Sequence, residues 1–232
     1  MPESSQQTHF DQEELSLTPE AALSLLVGRV QSLAEASASR IAVGLAGGPG
    51  VGKSTLATQI VESLNSVNPD SAAFVPMDGF HMRHSKLEML GTVMDKGAPH
   101  TFEGGEFVEF LKLLKAADKK VSGPGYSRKI EDVVDDAFTV AAETRILVTE
   151  GNYLLLGQPP WDTVKSLLDL AVFIDVPREM VRSRLMKRHA EEGLFTEDRN
   201  REHIARVDLP NYDLVVASKH RAHLRINLLI ER

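Results

Sequence analysis

The chain has 232 residues, 42% of them hydrophobic and 25% charged, a net charge of −7 and no cysteine. That length suits one domain with a sizeable core. The acidic balance argues against a nucleic-acid-coating role, the lack of cysteine excludes disulfides, thiolate catalysis and cysteine metal sites and is compatible with the cytoplasm, and no apolar run is long enough to span a membrane.

Residues 1–17 are polar and acidic, without the basic start and apolar core of a signal peptide, and read as a disordered leader to a domain over 18–232. Thr18-Pro19-Glu20 offers an N-cap, a first-turn proline and an early acid. Leu23, Leu26, Val27, Val30 and Leu33 follow at helical spacing, which predicts a helix to about Ala38. IAVGLA (Ile41–Ala46) reads as a buried strand, LATQIVESL as a helix and AAFV as a second strand. Phe107, Phe110, Leu111 and Leu114 mark another helix, and the stretch from Gly123 to Val140 reads as a turn with extended segments. RILVTE and AVFID are two more strands, each ending on an acid; REMVRSRLMKRHAEE is a basic helix, and LVV and HLRIN read as short strands. Strands alternating with helices imply an α/β fold with a parallel sheet.

Gly47-Gly48-Pro49-Gly50-Val51-Gly52-Lys53-Ser54 fits G-x-x-x-x-G-K-[ST] between a strand and a helix, the context this phosphate-binding motif requires. The main chain of Gly48, Gly50, Val51, Gly52, Lys53, Ser54 and Thr55 is expected to wrap a triphosphate, with helix N-terminal amides facing the negative charge. Lys53 is expected at the β- and γ-phosphates and the Ser54 hydroxyl on Mg²⁺. A dinucleotide-binding reading fails, because Lys53 stands where the third glycine belongs. The chain has neither N-K-x-D nor an LSGGQ-like run, which disfavours a GTPase and a transporter ATPase.

In open α/β sheets ligands bind beyond the carboxyl ends of the strands. Asp78, after AAFVPM, is placed to orient or deprotonate an acceptor hydroxyl, and Glu150, after RILVT, to hold Mg²⁺. The plainer readings are a turn acid beside Gly79 and a surface acid. Asp175, followed by Val-Pro-Arg, reads as a cap for the basic helix and stays outside the site. Arg184 and Arg188, one turn apart, are the candidates to cover the transferring phosphoryl from a lid over about 178–207; the alternative is a solvated face paired with Glu191 and Glu192. The i,i+3 pairs His81/His84 and His220/His223 lack a third ligand for zinc, His84 and His100 read as surface residues, and Trp161 reads as a loop anchor.

The set Gly47–Ser54, Asp78-Gly79-Phe80-His81, Lys96 to Glu103, Tyr126-Ser127-Arg128 and Glu150-Gly151 resembles the uridine kinase, pantothenate kinase and phosphoribulokinase group of P-loop kinases. Within it the chain is most similar to a uridine-kinase-like branch labelled as sugar or fructose-transport-associated kinases, over roughly residues 20–228. The resemblance implies a three-layer P-loop NTPase sandwich with about five parallel strands and a helical lid, in a monomer or homodimer. It implies ATP and Mg²⁺ as cofactors and a small-molecule hydroxyl acceptor as partner. It makes Asp78 the base, and Lys96, Tyr126 and Arg128 acceptor contacts. Phe80 and His81, next to Asp78, read as pocket walls, with His81 a hydrogen-bond donor to the acceptor hydroxyl. Glu103 stands where the group often has aspartate. The expected reaction is phosphoryl transfer to a sugar-like or pantothenate-like alcohol. A nucleoside kinase, with Phe80 or Tyr126 stacked on the base, and a nucleotide-binding switch without acceptor are the alternatives.

Overall fold

The structure is a computed structural model that describes residues 13–192 and 196–229. Eight strands are present: β1 (Glu13–Leu17), β2 (Ile41–Ala46), β3 (Ala72–Pro76), β4 (Val121–Ser127), β5 (Asp132–Val140), β6 (Ile146–Gly151), β7 (Leu170–Asp175) and β8 (Leu224–Leu228). Eight α-helices accompany them: α1 (Pro19–Ala36), α2 (Lys53–Val67), α3 (His84–Leu90), α4 (Gly104–Ala116), α5 (Val164–Leu167), α6 (Arg178–Glu192), α7 (Glu197–His203) and α8 (Leu209–Ala217).

Six strands form one parallel sheet in the order β1-β8-β7-β2-β6-β3. The central strands are apolar on both faces, as a sheet covered on both sides requires. Ile41, Val43 and Leu45 pack with Leu26 and Val30 of α1 and Leu56 and Ile60 of α2. Ala42 and Ala46 face the opposite layer, with Phe107, Leu111 and Leu114 of α4 and with Trp161. Trp161 is a loop anchor, as expected: it is buried and rings with Phe102, Phe107 and Tyr153. The remaining strands, β4 and β5, make a separate antiparallel hairpin beyond the β3 edge.

The expected helix caps hold: the Thr18 hydroxyl accepts the Ala21 N–H at 3.3 Å, with Pro19 in the first turn. Three expectations change. The sheet has six strands rather than about five. The sixth lies in the expected leader, where Glu13–Leu17 pairs in parallel with Leu224–Leu228 while Leu15 and Leu17 reach the core; residues 1–12 lie outside the described residues. The pairing partner lies at the far end of the chain, so no local pattern marks it. Leu214-Val215-Val216 is helical, within α8: Pro210 starts that helix, and three apolar residues in a row carry no period of their own.

Arg40, one residue before β2, is buried and ties the sheet's lower end together. Its guanidinium donates to the carbonyls of Thr144, Leu114, Ala141 and Ala142. Replacing Arg40 with Met takes the donor from the buried carbonyls of Thr144 and Leu114 and from the part-buried carbonyls of Ala141 and Ala142, a loss of about 3 kcal/mol. For a domain of this size the expected fall in melting temperature is roughly 6–12 °C, measured by calorimetry, with nucleotide binding retained.

Candidate active site

The phosphate loop joins β2 to α2 at the carboxyl edge of the sheet. Gly52 precedes α2 with φ 103°, a left-handed conformation that favours glycine. At Gly48 a Cβ would come within 2.4 Å of the Tyr212 ring, so a side chain there closes the loop. Val51 turns its side chain into the core and, like Gly48, is not among the residues that border the cleft. The loop edges a cleft of about 1290 Å³, bordered also by Ser54, Thr55, Asp78, Glu150 and Arg128.

Lys53 is buried, and its ammonium donates to Gly48 O at 2.9 Å and Asn152 Oδ1 at 2.8 Å. Burial pushes its pKa down, opposed by the charges of Glu150 and Asp78. The Ser54 hydroxyl donates to Glu150 Oε1 at 3.0 Å. Burial pushes the Glu150 carboxyl up to about 7, against the pull of Lys53. A hydroxyl and a buried carboxylate side by side at a helix N-terminus are hard oxygen donors suited to Mg²⁺, which takes few protein ligands and completes its shell with phosphate and water. No cluster of three or more His, Cys, Asp or Glu able to hold a metal occurs among the described residues.

Asp78 sits in the turn Met77–Phe80 just after β3 and borders the cleft. Two residues of the acceptor set behave differently from expectation. Phe80 is buried at 5% exposure, packed on Phe107 and Phe110 at 5.3 and 5.4 Å between ring centroids; it belongs to the core and does not border the cleft. The shift follows from the 3-10 turn, which puts Met77 and Phe80, three residues apart, on the same buried side. His81 does border the cleft, but its Nδ1 lies 2.8 Å from the Asp78 carbonyl, which can only accept. Nδ1 therefore carries the proton. Burial also lowers the pKa, so the ring is neutral with a bare Nε2: a hydrogen-bond acceptor toward a hydroxyl, and not the expected donor.

His81 is sandwiched between Phe102 and Tyr126, at 3.9 and 4.6 Å between centroids. Tyr126 donates to Glu131 Oε2 at 2.9 Å, and the Lys96 ammonium lies 5.1 Å from its ring centroid. Lys96 also bonds the Glu131 carbonyl. On the lid side, Arg184 and Arg188 both border the cleft, but Arg184 Nη1 donates to Val51 O at 3.2 Å and Gly50 O at 3.4 Å, clamping the loop from outside. His84 and His100 are half-exposed, with Nε2 3.5 Å from the carboxylates of Glu88 and Asp95. Asp175 accepts from Tyr212 and Lys219.

The sequence reasoning missed Asn152 and Glu131. Asn152 sits two residues after Glu150 and so shares the strand end, a period-two signal that was available. Glu131, in the hairpin turn, had no local signature. Asn211, in the Pro-Asn pair that follows the lid as in the resembled kinases, borders the cleft and donates to Gly97 O at 3.2 Å.

A strand–glycine loop–helix unit under a parallel sheet, with a buried lysine and strand-end carboxylates, defines a P-loop protein of the kinase type. The chain belongs to the phosphoribulokinase / uridine kinase family, whose model matches residues 42–231. It is 35% identical over 183 residues to a Schizosaccharomyces pombe protein provisionally named a uridine kinase, covering 76% of this chain and 78% of that one. It is 30% identical to the pantothenate kinase of Latilactobacillus sakei over 63% of this chain, and spans 48% of that protein. A crystal structure from Silicibacter sp., provisionally described as a fructose transport system kinase, superposes with a TM-score of 0.80 at 32% identity, covering 88% of this chain and 98% of that one. The chain is thus a kinase that transfers a phosphoryl group to a small metabolite, and its family implies ATP as donor, typically with Mg²⁺.

The Glu150 shift fixes a sign. Its folded pKa is raised, so between about 4.5 and 7 the unfolded chain gives up the proton first, and the nucleotide-free protein loses stability as pH rises through that window. Glu150→Gln removes this cost. Its melting temperature is expected to exceed that of the parent at pH 8 and to match it at pH 4.5, while the rise in melting temperature on adding MgATP shrinks.

Proposed function

We propose that the protein transfers the γ-phosphoryl of ATP to a hydroxyl of a non-aromatic, sugar-like or pantothenate-like alcohol. The observation that carries this reading is the closed aromatic stack. Phe80 is in the core, His81 fills the space between Phe102 and Tyr126, and Lys96 lies over Tyr126. A nucleobase would need an open aromatic face, and these are taken. The acceptor side instead offers hydrogen-bonding groups: the Asp78 carboxylate, the bare Nε2 of His81 and the Arg128 guanidinium.

In this reading Lys53 and the loop amides hold the triphosphate. Ser54 and Glu150 hold Mg²⁺, which offsets charge on the phosphates. Asp78 takes the acceptor proton as the hydroxyl oxygen bonds the γ-phosphorus and the bond to the β–γ bridging oxygen breaks, releasing ADP. Residues 178–207 act as the lid. Arg188 reaches the phosphates, and Arg184 stiffens the loop through its carbonyls.

Coupled ADP release over sugars, polyols, vitamin precursors and nucleosides tests the substrate class. Turnover with a nucleoside above every other compound defeats the non-aromatic reading, and no turnover with any compound beside intact ATP binding favours a switch. With a working acceptor, Asp78→Asn is expected to lower kcat about 100-fold or more with MgATP affinity within threefold. Lys53→Ala is expected to weaken MgATP binding itself, read by fluorescent nucleotide titration.

A further inference from the structure

Glu150 opens the stretch Glu150-Gly151-Asn152-Tyr153, and its last two residues bond in a single direction. Lys53 Nζ donates to Asn152 Oδ1 at 2.8 Å. An ammonium has only donors, so the amide oxygen faces Lys53 and the NH₂ group is turned away from it. Burial raises the pKa of the Tyr153 hydroxyl, and a hydrogen bond from the Asn152 side chain works against that rise. A bond of that sign is one donated to the phenol oxygen. The Tyr153 hydroxyl donates in turn to the carbonyl of Gly97, the residue after Lys96. One chain of donors thus runs from the ammonium in the phosphate loop to the main chain beside Lys96, which borders the cleft.

Tyr153 grips the same segment a second time. Its ring meets Phe102 edge-on at 5.4 Å, and Phe102 stacks on His81. With its hydroxyl at Gly97 and its ring at Phe102, Tyr153 holds both ends of the stretch 97–102. The ring is fully buried in an aromatic cluster, where a phenylalanine fills the same space. What the hydroxyl adds is the link between Asn152 and Gly97. The Gly97 carbonyl also accepts from Asn211, so its two lone pairs tie the segment to the end of β6 and to α8 together.

We infer that Asn152 and Tyr153 are positioning residues: through Gly97 they fix where the segment carrying Lys96 stands relative to Lys53, and so the spacing between the grip on the phosphates and the acceptor wall. This rests on the kinase reading above and adds two residues to it. Transfer is sensitive to that spacing, because a misplacement of about 1 Å costs on the order of 100-fold in rate. Linked hydrogen bonds polarise one another, so cutting one link weakens the others. The loss of either residue then costs about as much as the loss of both, whereas two independent supports act additively.

Amide hydrogen exchange over residues 94–101, without added nucleotide, tests the chain in the parent, Tyr153→Phe, Asn152→Ala and the double variant. Each single variant is expected to speed exchange there about fivefold or more, and the double variant by no more than about twice the larger single effect, with β2 and β7 unchanged. Unchanged exchange in either single variant, or effects that multiply in the double variant, overturns the inference. With an acceptor that turns over, Tyr153→Phe is expected to raise the acceptor KM about tenfold, with the KM for MgATP within about threefold of the parent. An acceptor KM that stays at the parent value overturns the positioning role. If no compound turns over, the kinase reading of the acceptor fails by itself, and exchange alone decides the chain.

Discussion

The structure is organised around a buried ammonium. Lys53 sits at the first turn of α2, out of water, and an isolated charge there would cost several kcal/mol. Four features make it tolerable: the Gly48 carbonyl, the Asn152 amide oxygen, and the charges of Glu150 and Asp78. The first comes from a loop that can curl back because glycines line it. The other three come from the ends of β6 and β3, which flank the loop because β6 lies between β2 and β3 in the sheet. Strand order, loop composition and strand-end acids are thus one requirement met in three places.

The same constraint poises the site for its ligands. Lys53 gives its hydrogen bonds to its own loop and to Asn152, and Ser54 gives its hydroxyl proton to Glu150. Triphosphate and metal offer these groups better partners: anionic oxygens for the ammonium, a divalent cation for the raised carboxyl. A divalent cation beside Glu150 would add to the pull of Lys53 and favour its charged form.

Much of this was legible in the sequence because the features are local. The phosphate loop is contiguous, the apolar strands β2, β3, β6 and β7 are short runs bounded by polar residues, and the acids after them follow by position. What was not legible depends on distant partners. β1 is a polar-looking pentapeptide whose only advertisement is the alternation of Leu15 and Leu17. Phe80 sits in a turn, and whether it faces ligand or core is decided by Phe107 and Phe110, in a helix that starts more than twenty residues later. The proton position on His81 was beyond the sequence for the same reason: it depends on where the Asp78 carbonyl points.

The pairing at the other edge of the sheet has a consequence for how the molecule is made. β8 lies between β7 and β1, so β1 has no strand to join until β8 is in place. About two hundred residues separate Glu13 from Leu224. On a ribosome, the phosphate loop and the four strands around it can assemble while β1 waits unpaired, and the sheet closes only when the last strand emerges. β1, made before the other strands of the sheet, is the last of them to be ordered, and its docking reports that synthesis has run through to β8.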